Sequence, residues 1–133
     1  AIKVKGSQGS AAVKLNGNFV HESLDKSAVV VETSGNEIRE NLVHGVMKID
    51  KSNHDFEYPT GIEASAGGNK IDSNIVAGSD RFGYNVKLDG CSSELLFKDN
   101  AARSCLIGFY VTESGTGCSI VTRQAASHSW DFG

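Results

Sequence analysis

Four polar side chains in the second half of the sequence could perform acid–base chemistry on a polysaccharide. Two are adjacent charges, Asp80 and Arg81, and two lie further along the chain, Arg103 and His128. A lyase or hydrolase acting on an acidic sugar needs a base and a cation gathered on one face of the protein. Because acids here stand singly beside residues of opposite sign, the pattern is more typical of a balanced surface. Catalysis by these four residues is therefore our alternative hypothesis.

Metal binding has weaker support in the sequence. His21 and His44 each lie three residues after an asparagine, so they occupy equivalent places in two repeats and could stack. The equivalent later positions are Ala77, Arg103 and Ser127, which supply no third ligand. The three cysteines show no CxxC spacing, which argues against structural zinc. We expect neither a metal nor a cofactor.

An internal repeat organises the chain. An apolar anchor stands three residues before a side-chain amide, and a small or aliphatic residue follows two positions after that amide. A second column of small residues precedes strand-like runs at intervals of a few tens of residues. The anchor and amide pairs are Leu15 with Asn18, Ile38 with Asn41, Ile71 with Asn74, Phe97 with Asn100, and Val121 with Gln124.

Short strands repeating without helical periodicity predict an all-β, single-stranded, right-handed parallel β-helix, a solenoid of about five coils. Equivalent residues of successive coils then lie above one another at about 4.8 Å. A buried amide would be costly alone, but stacked amides can hydrogen-bond to one another. The spacing therefore predicts a structural ladder of Asn18, Asn41, Asn74, Asn100 and Gln124.

Two outward features accompany the repeat. Arg39, Asp72 and Lys98 follow successive anchors, which predicts a solvated face with opposite charges on neighbouring coils. A longer interval between repeats, at about residues 47–59, predicts a protruding loop. Its side chains could contact a partner or pack back on the coils; those of the candidate binding loop are Asp55, Phe56, Glu57 and Tyr58.

Length, net charge and apolar content limit the domain count and the kinds of partner that we expect. The 133 residues suit one domain, here a β-helix segment over 1–133, and no visible cap closes either end, which favours a fragment. A net charge of −3 argues against nucleic acid. No stretch approaches the roughly 20 apolar residues of a membrane span, so we expect no direct membrane insertion by this segment.

The second half resembles a known family. The run "NIVAGSDRFGYNV", the passage at residues 100–109 and the ending "WDFG" are similar to the parallel β-helix segment of the fibrocystin (polyductin) and fibrocystin-L ectodomains. The resemblance is clearest from Pro59 onward. It implies an extracellular piece of a larger surface or cilium-associated protein. Related animal surface proteins couple a similar β-helix to hyaluronan cleavage.

The resemblance carries no catalytic site onto this chain. It implies a disulfide between Cys91 and Cys118 in an oxidising compartment, with Cys105 free and buried. We therefore favour a non-catalytic structural or recognition module whose partners are neighbouring coils or domains of a longer chain and a protein or glycan. The alternative is a carbohydrate-active β-helix acting on an acidic polysaccharide such as hyaluronan.

Overall fold

A computed structural model describes residues 1–6, 12–24, 26–48, 59–89, 97–114 and 125–127. Within these ranges every regular element is a β-strand, and none is a helix. All strand pairs are parallel. The prediction of an all-β fold built from parallel strands is therefore confirmed.

The strands recur in the same order along the chain. Most are three to five residues long, whereas β9 has 15 residues and β11 has 14. They are β1 (Ile2–Val4), β2 (Lys14–Asn16), β3 (Phe19–Ser23), β4 (Ser27–Val31), β5 (Glu37–Arg39), β6 (Leu42–Val46), β7 (Thr60–Ala64), β8 (Lys70–Asp72), β9 (Ile75–Asp89), β10 (Phe97–Lys98), β11 (Ala101–Ser114) and β12 (Ala125–Ser127).

A four-stranded sheet runs in the order β10-β8-β5-β2. Its register places the anchors of successive repeats opposite one another, Leu15 on Ile38, Ile38 on Ile71, and Ile71 on Phe97. Ile38, Ile71 and Phe97 are fully buried. The anchors found in the sequence therefore form one continuous apolar column on the inner face of this sheet.

The remaining eight strands form one curled sheet. The first part of β9 pairs with β6, and its second part pairs with β7. β11 then follows β9 along nearly its whole length. Each long strand thus joins two stacks that in earlier repeats consist of separate strands, β3 with β6 and β1 with β4.

Left-handed backbone turns recur at the corner before each ladder asparagine. The residues there have φ angles of 66° at Gly17, 53° at Glu40, 56° at Ser73 and 52° at Asp99. An L-residue with a side chain pays a conformational penalty in this region, so its repetition shows a strong local constraint. Each turn separates an anchor strand from the strand that begins just after the asparagine.

The core lies between the two sheets. Val20, Val43, Val76 and Ala102 stack in register inside the curled sheet, and all are buried. Three rings join this column to the anchors: Tyr84 stacks on Phe109 at 5.0 Å between centroids and meets Phe97 edge-on at 5.9 Å. In the later repeats aromatic rings therefore fill part of the core.

A glycine column allows adjacent strands to approach closely in the curled sheet. A Cβ atom at Gly83 would lie 2.6 Å from the carbonyl oxygen of Gly108, and one at Gly61 would lie 2.7 Å from that of Gly83. Both neighbours are backbone atoms, which cannot rotate away. Only glycine therefore fits these positions.

We predict that Gly83→Ala lowers the free energy of unfolding by about 2 kcal/mol or more, because the added methyl forces the strands apart. Chemical denaturation followed by circular dichroism would measure it. Gly17→Ala is the control, since a Cβ there meets nothing within 4 Å and costs only the left-handed backbone term of about 1 kcal/mol. An equal loss in both variants would contradict the steric explanation.

Candidate functional site

The structure places the asparagines of successive repeats in one hydrogen-bonded column, the amide ladder. Asn41 donates from its backbone N–H and from Nδ2 to Oδ1 of Asn74, at 3.0 and 2.9 Å. Asn74 donates in the same way to Oδ1 of Asn100, at 3.0 Å for both bonds. Asn18 repeats the pattern onto Oδ1 of Asn41.

The second Nδ2 proton of each central asparagine also has a hydrogen-bond acceptor. Nδ2 of Asn74 donates to the carbonyl of the anchor Ile38 at 2.8 Å, and Nδ2 of Asn41 donates to that of Leu15 at 2.7 Å. Asn74 is fully buried. A buried amide is tolerated here because every donor and acceptor of its side chain is used.

A second, shorter ladder was missed by the sequence analysis. Asn36 donates from its backbone N–H and Nδ2 to Oδ1 of Asn69, at 2.9 and 3.0 Å, and both residues are buried. The glycine before each, Gly35 and Gly68, has a positive φ angle. The repeated "GNEI" and "GNKI" at residues 35–38 and 68–71 are the signal that would have revealed it.

Two buried titratable groups lie beside the amide ladder. The Tyr84 hydroxyl is 2.9 Å from the carbonyl oxygen of Asn74 and 3.0 Å from that of Ala101. Burial raises the pKa of Tyr84 well above its usual value, with a smaller contribution from Cys105. Burial likewise raises the pKa of the Cys105 thiol, so this free cysteine stays protonated.

The expectation of a fully solvated charged face is wrong at one position. Arg39 and Asp72 are register partners, as are Asp72 and Lys98, but Asp72 is only 3% exposed. Arg39 Nε lies 3.3 Å from Asp72 Oδ2 without the alignment of a hydrogen bond. Ser73 Oγ also donates to Asp72 Oδ1 at 2.6 Å. The alternation of charges alone could not reveal the burial of this aspartate.

The histidines are brought together on the outer side of the curled sheet. His21 and His44 are register partners whose rings stack with centroids 5.4 Å apart and planes 5° from parallel. Glu22 Oε1 lies 3.6 Å from His21 Nε2. In the described part of the chain no group of three or more His, Cys, Asp or Glu side chains is placed to hold a metal ion.

The candidate catalytic residues are partly dispersed. Asp80 and Arg81 lie within β9 and are exposed, and Arg103 in β11 is opposite Ala77, three residues before Asp80. The Asp80 carboxylate accepts the backbone N–H of Lys48 at 2.7 Å. His128 lies outside the described residues. Asp80 thus holds the backbone at the start of the long interval between repeats.

Several other predicted positions lie outside the described residues. These are the ladder residue Gln124, the cysteines Cys91 and Cys118, and the binding-loop residues Asp55, Phe56, Glu57 and Tyr58. Of the predicted loop at about 47–59, the structure describes Met47, Lys48 and the buried Pro59. In the described part of the chain, no helix is long and apolar enough to cross a membrane.

These parallel, amide-laddered repeats are accompanied by sequence similarity to two large proteins of Mus musculus. Over 65 residues, 47% of this chain, it is 38% identical to fibrocystin, and over its whole length it is 28% identical to fibrocystin-L. The chain spans 2% and 3% of those proteins. The resemblance to a fibrocystin-like segment is therefore confirmed. No protein-family model matches the chain, and no solved structure matches it significantly.

We predict that Asn74→Ala lowers the free energy of unfolding by about 3–5 kcal/mol, because it leaves donors of Asn41 and the Ile38 carbonyl buried without partners. Asn18→Ala is the matched control: it lies at the partly exposed end of the same ladder, so its loss is expected near 1 kcal/mol. Denaturant titration of both variants measures the difference. Similar losses would show that the ladder does not act as a buried unit.

The raised pKa of Tyr84 predicts instability in alkali. In the unfolded chain a tyrosine loses its proton near pH 10, whereas the buried one keeps it, so the stabilisation is complete below about pH 10 and falls as pH rises above it. Tyr84→Phe should cost about 1 kcal/mol at pH 7 and reduce the slope above pH 10. Tyr110→Phe is the control for removing a tyrosine hydroxyl at an exposed ring. Unfolding titrations between about pH 7 and pH 11 would measure both.

Proposed function

We propose that the chain forms a right-handed parallel β-helix of about five coils. Three features support this. The strand stacks keep one register through successive repeats, left-handed corners recur before each ladder asparagine, and two amide ladders run along the stacks. Parallel connections in one sheet are nearly always right-handed.

The function we propose is that of a non-catalytic structural or recognition module in the extracellular part of a larger surface or cilium-associated protein. Similarity to short segments of fibrocystin and fibrocystin-L supports it. Its partners are neighbouring coils or domains of a longer chain, and a protein or glycan that contacts the outer side.

The observation that carries this proposal is that the inner columns repeat the same residue types, whereas the outer column does not. Inner columns repeat apolar and amide residues, as in Ile38 with Ile71 and Asn41 with Asn74. The outer column of His21, His44, Ala77 and Arg103 changes chemistry from repeat to repeat while keeping one spacing. A rigid stack of this kind presents side chains to a partner at fixed distances.

The alternative, a carbohydrate-active β-helix, makes a different prediction. If Asp80, Arg81, Arg103 and His128 acted on an acidic polysaccharide, the protein would shorten hyaluronan, and Asp80→Ala and Arg103→Ala would abolish the activity. We expect no change in polymer length by gel electrophoresis, with the wild type indistinguishable from Asp80→Ala. Shortening by the wild type that is lost in both variants would overturn the non-catalytic proposal.

Location is tested on cells that express the parent protein. We expect an antibody raised against this segment to label intact cells as strongly as permeabilised cells, because the segment faces outward. An antibody to a cytosolic protein is the control for membrane integrity. Labelling that requires permeabilisation would contradict the extracellular proposal.

A further inference from the structure

We propose that the open end of the stack pairs with a further polypeptide coil in which an apolar residue stands three positions before an asparagine, and that this coil belongs to the same longer polypeptide. The open end is the edge of β2 and β3 that faces away from β5 and β6. Among the described strands, β2 pairs with β5 alone and β3 with β6 alone. The inference rests on the proposed β-helix and deepens its structural role by specifying the partner's sequence pattern and hydrogen bonds.

Neighbouring repeats are joined at the amide ladder by a set of hydrogen bonds that recurs unchanged. The backbone N–H and Nδ2 of Asn41 both donate to Oδ1 of Asn74. Nδ2 of Asn74 donates back to the carbonyl of the anchor Ile38. Each asparagine side chain therefore accepts from the repeat before it and donates to the repeat after it, so the ladder has a direction.

Two backbone bonds complete the set at the same corner. The N–H of the left-handed residue Glu40 donates to the Asp72 carbonyl at 3.2 Å, and the N–H of Ile75 donates back to the Asn41 carbonyl at 2.9 Å. The junction between two repeats therefore has five hydrogen bonds at the ladder. All five recur at two other described junctions, from Asn18 to Asn41 and from Asn74 to Asn100.

Asn18 presents the receiving side of this junction at the open end. Its Oδ1 corresponds to Oδ1 of Asn41 and Asn74, each of which accepts two bonds from the preceding repeat. No residue in the described part of the chain donates to Oδ1 of Asn18. In place of an anchor carbonyl, its Nδ2 has the Asn16 carbonyl at 3.5 Å, beyond the usual length of such a bond. The amide of Asn18 therefore has room for a partner on both its oxygen and its nitrogen.

Two backbone groups beside Asn18 are in the same situation. The Asn16 carbonyl corresponds to that of its register partner Arg39, which accepts the corner N–H of the first repeat at 3.1 Å. The Phe19 N–H corresponds to that of its register partner Leu42, which donates to the Asn18 carbonyl at 2.9 Å. Neither group has the corresponding partner among the residues that the structure describes. The open end thus offers one side of all five bonds of a junction.

The missing groups define the partner's chemistry. One short amide must bring its backbone N–H and Nδ2 to a single oxygen, and a carbonyl three residues before it must reach Nδ2 of Asn18. Asparagine meets both requirements, whereas aspartate would place a carboxylate oxygen against Oδ1 of Asn18. The residue three positions earlier would lie over Leu15, which is partly buried at the end of the anchor column, so we expect it to be apolar. A glycan has no such row of backbone and side-chain amides.

The same polypeptide is the source of this coil in our proposal. Within this chain the junction forms between successive repeats of one polypeptide at each described step of the ladder. A coil held by a chain connection loses less freedom on pairing than a free partner does. Fibrocystin and fibrocystin-L of mouse are also far longer than this segment, which spans 2% and 3% of them.

Pairing is tested by adding a peptide that copies residues 28–46 to the whole chain. In the fold these residues present the donating side of the junction to the third repeat. The matched control peptide carries Asn41→Asp, which keeps the size of the side chain but removes its donor. We expect the asparagine peptide to bind about tenfold more tightly by fluorescence anisotropy, and to slow hydrogen exchange at the Phe19 N–H about tenfold in NMR spectra. Equal binding of the two peptides, or unchanged exchange at Phe19 with millimolar peptide, would overturn the proposal.

Variants of the protein locate the pairing at the open end. Asn18→Ala removes the oxygen that would accept two of the five bonds, so it should weaken the asparagine peptide about tenfold and abolish its advantage over the aspartate peptide. Asn16→Ala keeps the backbone carbonyl and changes only an exposed side chain, so binding should be unchanged. Circular dichroism checks that both variants are folded, and the peptide comparison leaves the protein unaltered. Equal weakening by the two substitutions would contradict the assignment.

Hydrogen exchange in the purified parent protein, followed by mass spectrometry, tests the source. We expect the Phe19 N–H to exchange slowly there at every protein concentration. Slow exchange that needs high concentration would indicate a second copy, and slow exchange that needs an added protein would indicate a separate partner. Either result, or fast exchange throughout, would overturn the placement of the coil in the same polypeptide.

These outcomes can be separated from those of the proposed role itself. If the peptide fails to pair but the protein leaves hyaluronan intact and faces outward on cells, only the pairing at the open end is wrong. If the wild type shortens hyaluronan, and Asp80→Ala and Arg103→Ala abolish it, the non-catalytic role fails whatever the exchange at Phe19.

Discussion

The structure depends on the satisfaction of buried asparagine amides by the asparagines of neighbouring repeats. Asn74 uses its Oδ1 for two donors of Asn41 and its Nδ2 for Asn100 and for the Ile38 carbonyl. Such an amide could not be buried in one repeat by itself, because its unpaired groups would cost several kcal/mol. Stability and register are therefore properties of the stack, since a slip of one residue would unpair every rung at once.

The ladder also explains why strained corners are retained. Glu40, Ser73 and Asp99 adopt left-handed conformations that cost of order 1 kcal/mol each. The turn at each of them delivers the next asparagine to the column, where its hydrogen bonds offset the strain. Gly17 occupies the same corner in the first repeat without that cost. The geometry of the corner is thus conserved across the stack although its residue type is not.

A structural feature of this protein could be predicted from the sequence where its residue types recur in several repeats. The anchors Leu15, Ile38, Ile71 and Phe97 each stand three residues before an asparagine, and their registered column follows from that shared frame. The Asn36–Asn69 ladder has two members in the described chain, too few to stand out beside the longer column. Burial of Asp72 depends on how neighbouring side chains lie across a sheet, which spacing does not encode. Glu22, Gly45, Gly78 and Ser104 occupy equivalent positions and share a positive φ angle. The sequence did not predict this shared conformation because the residue types at the four positions differ.

We therefore expect function at outward side chains that have no partner within the fold. On the four-stranded sheet the cation at Arg39 already has internal partners, because it lies within 4 Å of carboxylate oxygens of Glu37, Glu40 and Asp72. On the curled sheet Phe19, Leu42 and Ile75 lie exposed, and His44 and Arg103 lie on either side of the small Ala77. These side chains contribute nothing to the ladders or the core, so the fold does not account for them. Because the stack fixes their spacing, a partner that matched one repeat would meet its neighbours in register as well.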